Sequence, residues 1–236
     1  MTPAPADPAL ARFLAESPLD RPAIFAFLER LARELPAGTR VLDAGAGEAP
    51  YRTLFAECNY MTSDWEQSEH AGAQRSDVLA PLSRLPLDDR SFDVVVNTQV
   101  LEHVDDPAAV LGEFRRLLVP TGELWLTAPF VWELHEEPHD YFRFTTHGLR
   151  SLLERAGFVA IEIHPLGGGY FATIGQLLRH CGSITGLDHG PVAARTVSAL
   201  VSRLAPSLRR LDGFDKRRTL PLGYSCRART PHETAR

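Results

Sequence analysis

Residues 40–52 read Arg40-Val41-Leu42-Asp43-Ala44-Gly45-Ala46-Gly47-Glu48-Ala49-Pro50-Tyr51-Arg52, and this stretch decides the fold. Val41 and Leu42 end an apolar strand. Asp43 stands at its tip, Gly45 and Gly47 follow two apart, and the run after them can open a helix. Glycine has no Cβ, so the backbone there can take positive φ and lie flat against a ligand. A carboxylate at a strand tip offers two acceptor oxygens, which suits a ligand ammonium. A strand, a glycine turn and a helix N-terminus together make a ligand cradle at the carboxyl end of a parallel sheet.

Outward from the cradle the pattern alternates strand and helix, which predicts a Rossmann-like α/β fold: a seven-stranded, mostly parallel sheet with helices on both faces. Strands are expected at residues 41–44, 59–63, up to 79, 92–97, 123–128, 158–164 and 222–229, with a helix at 51–57. Residues 92–97, FDVVVN, form a continuous apolar run typical of a central strand buried on both faces. Asp106-Pro107 starts the next helix, and Val110, Leu111, Phe114, Leu117 and Leu118 form its inner face. Thr145 caps a later helix and Gly157 suits its C′ position. Before the cradle, Asp7-Pro8 and Asp20-Arg21-Pro22 each begin a helix. This amphipathic pair either crosses the mouth of the domain or packs on the sheet. Two segments stand outside the alternation: residues 129–145, a long polar-aromatic loop, and residues 166–219, helical from 191 to 204 with Pro206 as a break. Loops of this length are usually functional, so both are read as a substrate-facing cap. The division expected is 1–37 as an N-terminal helical segment and 38–236 as one binding domain, with 166–219 as a helical cap insertion.

Composition narrows the function. The chain has 236 residues, 44% of them hydrophobic, and a net charge of −5. That gives no general reason to expect nucleic acid or a membrane as partner. The three cysteines, Cys58, Cys181 and Cys226, lack metal-like spacing and suggest reduced thiols in a cytoplasm. No apolar run approaches a membrane span. The start, MTPAPADPALARFLAES, is no secretory signal. Lys216 is the single lysine, which removes Schiff-base and P-loop chemistry from almost the whole chain.

A dinucleotide fingerprint wants a third glycine where this chain has Pro50, and it does not usually place an acid before the first glycine. Asp43 instead favours a ligand with a positively charged end. Asp64, about twenty residues on at the tip of the second strand, can accept from ribose hydroxyls. Asp77, at the third strand, can accept an adenine amino group. Carboxylates on three successive strand tips describe an adenosine ligand with an amino-acid tail.

At these motifs the chain resembles a class I S-adenosylmethionine-dependent methyltransferase of the methyltransferase type 11-like kind. VLDAGAGEAPYRTLF resembles the glycine-rich first motif, and YMTSDWE resembles the ribose motif. SDVLAPLSRLPLDDRSFDVVVNTQVLEHVDDP resembles the adenine motif, fourth strand and following loop. EFRRLLVPTGELWLTAPF resembles the next helix and strand, and HEEPHDYFRFTTHGLRSLLERAGF a segment of one subgroup. The resemblance covers residues 38–165 and leaves out 1–37 and 166–219. It implies that Asp43, Ala44, Gly45 and Gly47 hold the methionine part of S-adenosyl-L-methionine, with Tyr51 near its carboxylate or sulfonium. Asp64 and Trp65 would take the ribose, and Asp77 and Val78 the adenine. Asn97, Thr98 and Gln99 would pass under the ligand.

Methyl transfer by in-line displacement needs mostly positioning. Where the acceptor carries a proton, a base must remove it, and His103 in LEHV suits that task as well as it suits packing the loop. His135-Glu136-Glu137-Pro138-His139 matches the letters HExxH. Pro138 breaks the helix that motif needs, so no metal is expected there. The segment reads instead as an ordered loop over the site, with His135 and His139 as further base candidates and Tyr141 and Arg143 facing the substrate. Arg209, Arg210, Lys216, Arg217 and Arg218 read as a solvated face, or more sharply as a docking patch for an acidic carrier protein or a phosphorylated substrate. The expected activity is methyl transfer to a small-molecule acceptor at O, N or C in the cytoplasm. The alternatives are ring closure of the cofactor's own aminobutyrate arm and a non-catalytic binding module. Contact with a carrier protein or a second copy stays open.

Overall fold

The computed structural model describes residues 7–68, 70–184 and 191–232. Seven strands form one sheet: β1 Arg40–Ala44, β2 Asn59–Asp64, β3 Val78–Leu79, β4 Phe92–Thr98, β5 Leu118–Pro129, β6 Val159–Leu166 and β7 Gly223–Arg229. Their order is β3-β2-β1-β4-β5-β7-β6. Neighbours from β3 to β5 run parallel, and β7 runs antiparallel between β5 and β6. This is the expected Rossmann-like fold. The chain leaves β1 for β2 on one side and later returns to β4 on the other. The crevice between β1 and β4 is therefore the switch point at which such sheets bind ligands.

Alternation along the strands sends their side chains to two cores. On one face Leu42, Val95, Leu124 and Leu126 pack under α3 (Pro107–Leu117) and α4 (Thr146–Arg155). On the other, Val41, Val94, Val96 and Trp125 pack under α1 (Pro8–Glu16) and α2 (Arg21–Glu34). Both starting signals for α3 and α4 act as read: Asp106 accepts from the amides of Ala108 and Ala109, and Thr145 from that of Gly148. Trp125 is fully buried against Phe27 of α2 at 4.7 Å, and its Nε1 donates to Glu123 at 2.7 Å. Trp125→Ala would leave a cavity costing about 3–5 kcal/mol. The N-terminal helices thus pack on the sheet, and the corner between them also reaches the cleft.

Four local expectations need correction. The helix expected at 51–57 is a single 3-10 turn, Arg52–Phe55. Positive φ at Gly45, Gly47 and Ala49 uses up the chain that a longer helix would need before β2 begins. The segment before β7 holds two helices, α5 (Tyr170–Ile184) and α6 (Pro191–Leu211), where only the second was expected. Pro206 does not stop α6. It sits on the exposed side, while Val201 and Ala205 bury the inner side against Leu19, Ala172 and Leu222. Arg209 is exposed but does more than face water: its Nη2 donates to the carbonyl of Pro18 at 2.6 Å and ties α6 to the α1–α2 corner. Among the described residues, no helix is long and apolar enough to cross a membrane. Cys58 and Cys226 are free thiols, and the Cys181 side chain lies outside the described ones.

Candidate active site

The cradle is held by its own neighbours. Gly45 has φ +78°, and a Cβ there would stand 2.6 Å from Val100. The amides of Gly45 and Ala46 donate to the Ser63 carbonyl at the end of β2, at 2.8 and 3.1 Å. Asp64 accepts from the Gly47 amide through one oxygen and from the Trp65 amide through the other, both at 2.8 Å. A carboxylate has acceptor capacity left after two such bonds. Asp64 therefore braces the turn and still faces the cleft, whose volume is about 550 Å³. That is the size of a small-molecule or cofactor site.

Most residues singled out in the sequence line this cleft: Gly45, Gly47, Tyr51, Asp64, Trp65, Thr98, Gln99, His103, His135, His139 and Tyr141. Six others are placed elsewhere. Asp43 lies behind the turn, 3% exposed, with Tyr60 Oη donating to it. Burial pushes its carboxyl up to about 6. It shapes the cradle from beneath and is not an open ammonium ligand. Ala44 is fully buried, and its carbonyl accepts from Asn97 Nδ2 at 2.7 Å. Asn97 accordingly clamps β1 to β4 and does not line the cleft. Asp77 stands at the start of β3 and accepts from the amide and hydroxyl of Thr62, each at 2.8 Å. Those bonds hold its carboxyl below the usual range, and with Val78 it remains outside the cleft. Pro81, Leu82 and Ser83 reach the cleft instead.

Arg143 is the sixth. It pairs with both oxygens of the buried Asp140 at 2.6 and 2.8 Å and donates to the carbonyls of Glu133, Phe142 and Trp132. Its donors are used up inside the loop, so it is a loop clamp and not a substrate contact. Burial works to raise the Asp140 carboxyl, but the bonds from Arg143 outweigh it and hold it at about 2. The loop then docks on the turn after β4 through the Tyr141 amide, which donates to the Glu102 carbonyl at 2.9 Å. Residues 135–139 form no helix, as Pro138 suggested. His135 faces His103, with ring centroids 4.6 Å apart, while His139 turns to Trp65 and Tyr141.

His103 Nδ1 lies 2.8 Å from the His139 carbonyl, and His135 Nδ1 lies 3.1 Å from the Glu133 carbonyl. Carbonyls only accept, so both imidazoles keep Nε2 free of hydrogen when neutral. Burial holds the His103 ring below its ordinary range, which favours that neutral form. Beside it Glu102 is 1% exposed, and burial pushes its carboxyl up to about 8. Sequence reasoning gave no site role to Asp20, Arg21, His70 or Glu136, all of which line the cleft. Asp20 read as a helix cap, yet its carboxylate makes no cap bond to α2 and accepts from Ser17 instead. No local pattern carries that information.

With this geometry in view, the relatives are informative. A family profile described as a methyltransferase domain matches residues 42–126, the span from β1 through most of β5. Residues 42–126 are a methyltransferase domain. A probable S-adenosylmethionine-dependent methyltransferase of Mycolicibacterium smegmatis is 35% identical over 170 residues, covering 66% of this chain and 65% of that protein. One of Mycobacterium tuberculosis is 38% identical over 137 residues, covering 52% and 50%. The chain thus spans about half to two thirds of the length of these two relatives. An S-adenosylmethionine-dependent methyltransferase from Archaeoglobus fulgidus has the same fold, with a TM-score of 0.58 at 17% identity over 93% of this chain and 98% of that one. The cofactor of this family is S-adenosylmethionine, and the methyltransferase cradle fits it. Gly45 leaves no room for a side chain where the ligand would lie, and Asp64 keeps acceptor capacity toward the cleft.

Proposed function

We propose that this chain transfers a methyl group from S-adenosylmethionine to a small-molecule acceptor, and that the acceptor binds against His103 and His135. One observation carries the reading: a single cleft joins the glycine cradle to two imidazoles whose tautomers are fixed by backbone carbonyls. When bound, the cofactor supplies an electrophilic methyl group on a sulfonium. Asp64 would accept from its ribose, with Trp65 beside it. Tyr51 would stand at its amino-acid end, and Leu82 would meet the adenine in place of Asp77. Burial keeps the Tyr51 phenol protonated, so it serves as a hydrogen-bond donor. The acceptor's proton would be lost at the histidine cluster, a contribution of about 10²–10⁴-fold. The rings of Trp65, His139 and Tyr141 would limit water at the mouth. The free thiols suit a reducing compartment, and we place the chain in the cytoplasm.

The test uses cofactor labelled in its methyl group, offered with hydroxyl, thiol and amine acceptors, and analyses products by mass. Labelled acceptor with S-adenosylhomocysteine is the expected outcome. Methylthioadenosine in its place, or tight cofactor binding with no transfer to any acceptor class, would overturn methyl transfer.

A further inference from the structure

Glu102, His103 and His135 converge in the acceptor half of the cleft. Each offers one ligand atom, and the three atoms lie within 4.8 Å of one another. Nε2 of His103 is 3.9 Å from Oε1 of Glu102. Two features separate this from a chance meeting. The first is that both imidazoles turn Nδ1 onto a backbone carbonyl, which leaves the Nε2 lone pairs free. Outer groups fix metal-ligating histidines in this way. His135 is held further by Asp140, whose Oδ2 lies 3.4 Å from the same Nδ1. The second is Glu102 itself. Its side chain is 1% exposed, and neither carboxyl oxygen has a hydrogen-bond partner. A buried carboxyl with no partner keeps its proton, and a cation that displaces that proton would give the charge on both oxygens a partner.

We infer that Glu102, His103 and His135 form a three-point site for a divalent transition-metal ion, with zinc the default for this donor set. Ligands about 2.0–2.2 Å from one ion stand roughly 3–3.5 Å apart, so a pair at the 4.8 Å limit would close by roughly 1.5 Å to complete the set. Two imidazole nitrogens and one carboxylate oxygen suit zinc, manganese, iron or cobalt better than magnesium or calcium. Three protein ligands leave a coordination position open, and all three residues line the cleft, so that position faces the acceptor. Glu136 is a further donor beside the cluster, with Oε2 3.9 Å from His103 Nε2, but its other oxygen faces His70 at 3.4 Å. The site's role rests on the methyl-transfer reading: with an ion bound, His103 and His135 act as its ligands and no longer as bases, and the open position takes a hydroxyl or thiol of the acceptor, whose proton leaves to solvent.

The test uses the full chain without a histidine tag, stripped with a chelator and titrated with Zn²⁺ by calorimetry and with Co²⁺ by visible absorption. One ion per chain is expected. Glu102→Gln and His135→Gln should each weaken binding about 100-fold or more, since removal of an outer partner alone costs 10–100-fold. His135 stands in a surface loop, so its variant serves where Glu102→Gln fails to fold. Uptake by the wild type no tighter than by His135→Gln overturns the site. S-adenosylhomocysteine binding to the stripped chain is measured alongside. Cofactor binding without metal uptake sinks the metal site alone; metal uptake without cofactor binding upholds the site and sinks the methyl-transfer reading.

Discussion

The two halves of the cleft are built by different means. The cradle half comes from the ends of β1 and β2, and its bonds join near neighbours: Gly45 and Ala46 to Ser63, Gly47 to Asp64. The acceptor half comes from the α1–α2 corner, the turn after β4 and the loop at 130–145. It is joined by contacts across the chain, such as His103 to the His139 carbonyl and Arg209 to Pro18. Near-neighbour geometry tolerates little change in side chain. Long-range bonding can be loosened on one side of the cleft while the other stays intact.

The sharpest way to break this contrast is Gly45→Val. The substitution puts a Cβ 2.6 Å from Val100 at φ +78°, so measurable binding of S-adenosylhomocysteine by calorimetry should vanish. Micromolar binding by this variant would remove the cradle from the site. His103→Ala should do the opposite, cutting turnover about 10²–10⁴-fold while cofactor affinity changes less than about threefold. Equal losses of both would mean that the halves are not separable.

Asp43 sharpens the cradle side through pH. Its folded carboxyl is raised from 3.8 to about 6, so the native state holds the proton more tightly than the unfolded chain does. The stability this gives is complete below 3.8 and is lost as pH rises through about 6. At neutral pH the ionised form costs the ligand-free fold on the order of 3 kcal/mol. Asp43→Asn, neutral throughout, should therefore melt progressively above wild type as pH rises from about 4 to about 6, with a constant gap beyond that, in thermal scans. A gap that does not change over that rise would mean that Asp43 is not the buried carboxylate described. The smallest effect should come from Arg143→Gln, which takes the guanidinium and its two bonds from Asp140 and loosens the loop. Turnover should fall about tenfold at unchanged cofactor affinity, with faster hydrogen exchange confined to residues 130–145. Exchange spreading into β1 or β4 would join the two halves.

The same division explains what could be read in the sequence. The cradle, the buried run of β4 and the caps of α3 and α4 are local patterns, and a one-dimensional reading finds them. α5 escaped because its capping acid is remote: Asp212 accepts from the amides of Gly169, Phe171 and Ala172. Asp77 and Arg143 had suitable chemistry for a ligand, but Thr62 and Asp140 already occupy them. Nothing at either position announces its partner. Asp20 and Arg21 could be read as the start of a helix. That they line a cleft depends on α2 lying across the sheet, which rests on Phe27 meeting Trp125.

The α1–α2 corner is pinned by guanidinium groups that grip main-chain oxygens: Arg179 on Glu16, Arg209 on Pro18. A main-chain oxygen is present whatever residue occupies the position. The outward-facing letters of the corner can therefore be rewritten without unfastening it, and the wall of the mouth becomes a replaceable faceplate on a fixed engine. On the methyl-transfer reading proposed above, exchanging such faceplates between chains should redirect which molecules receive the methyl group while the donor stays seated as before.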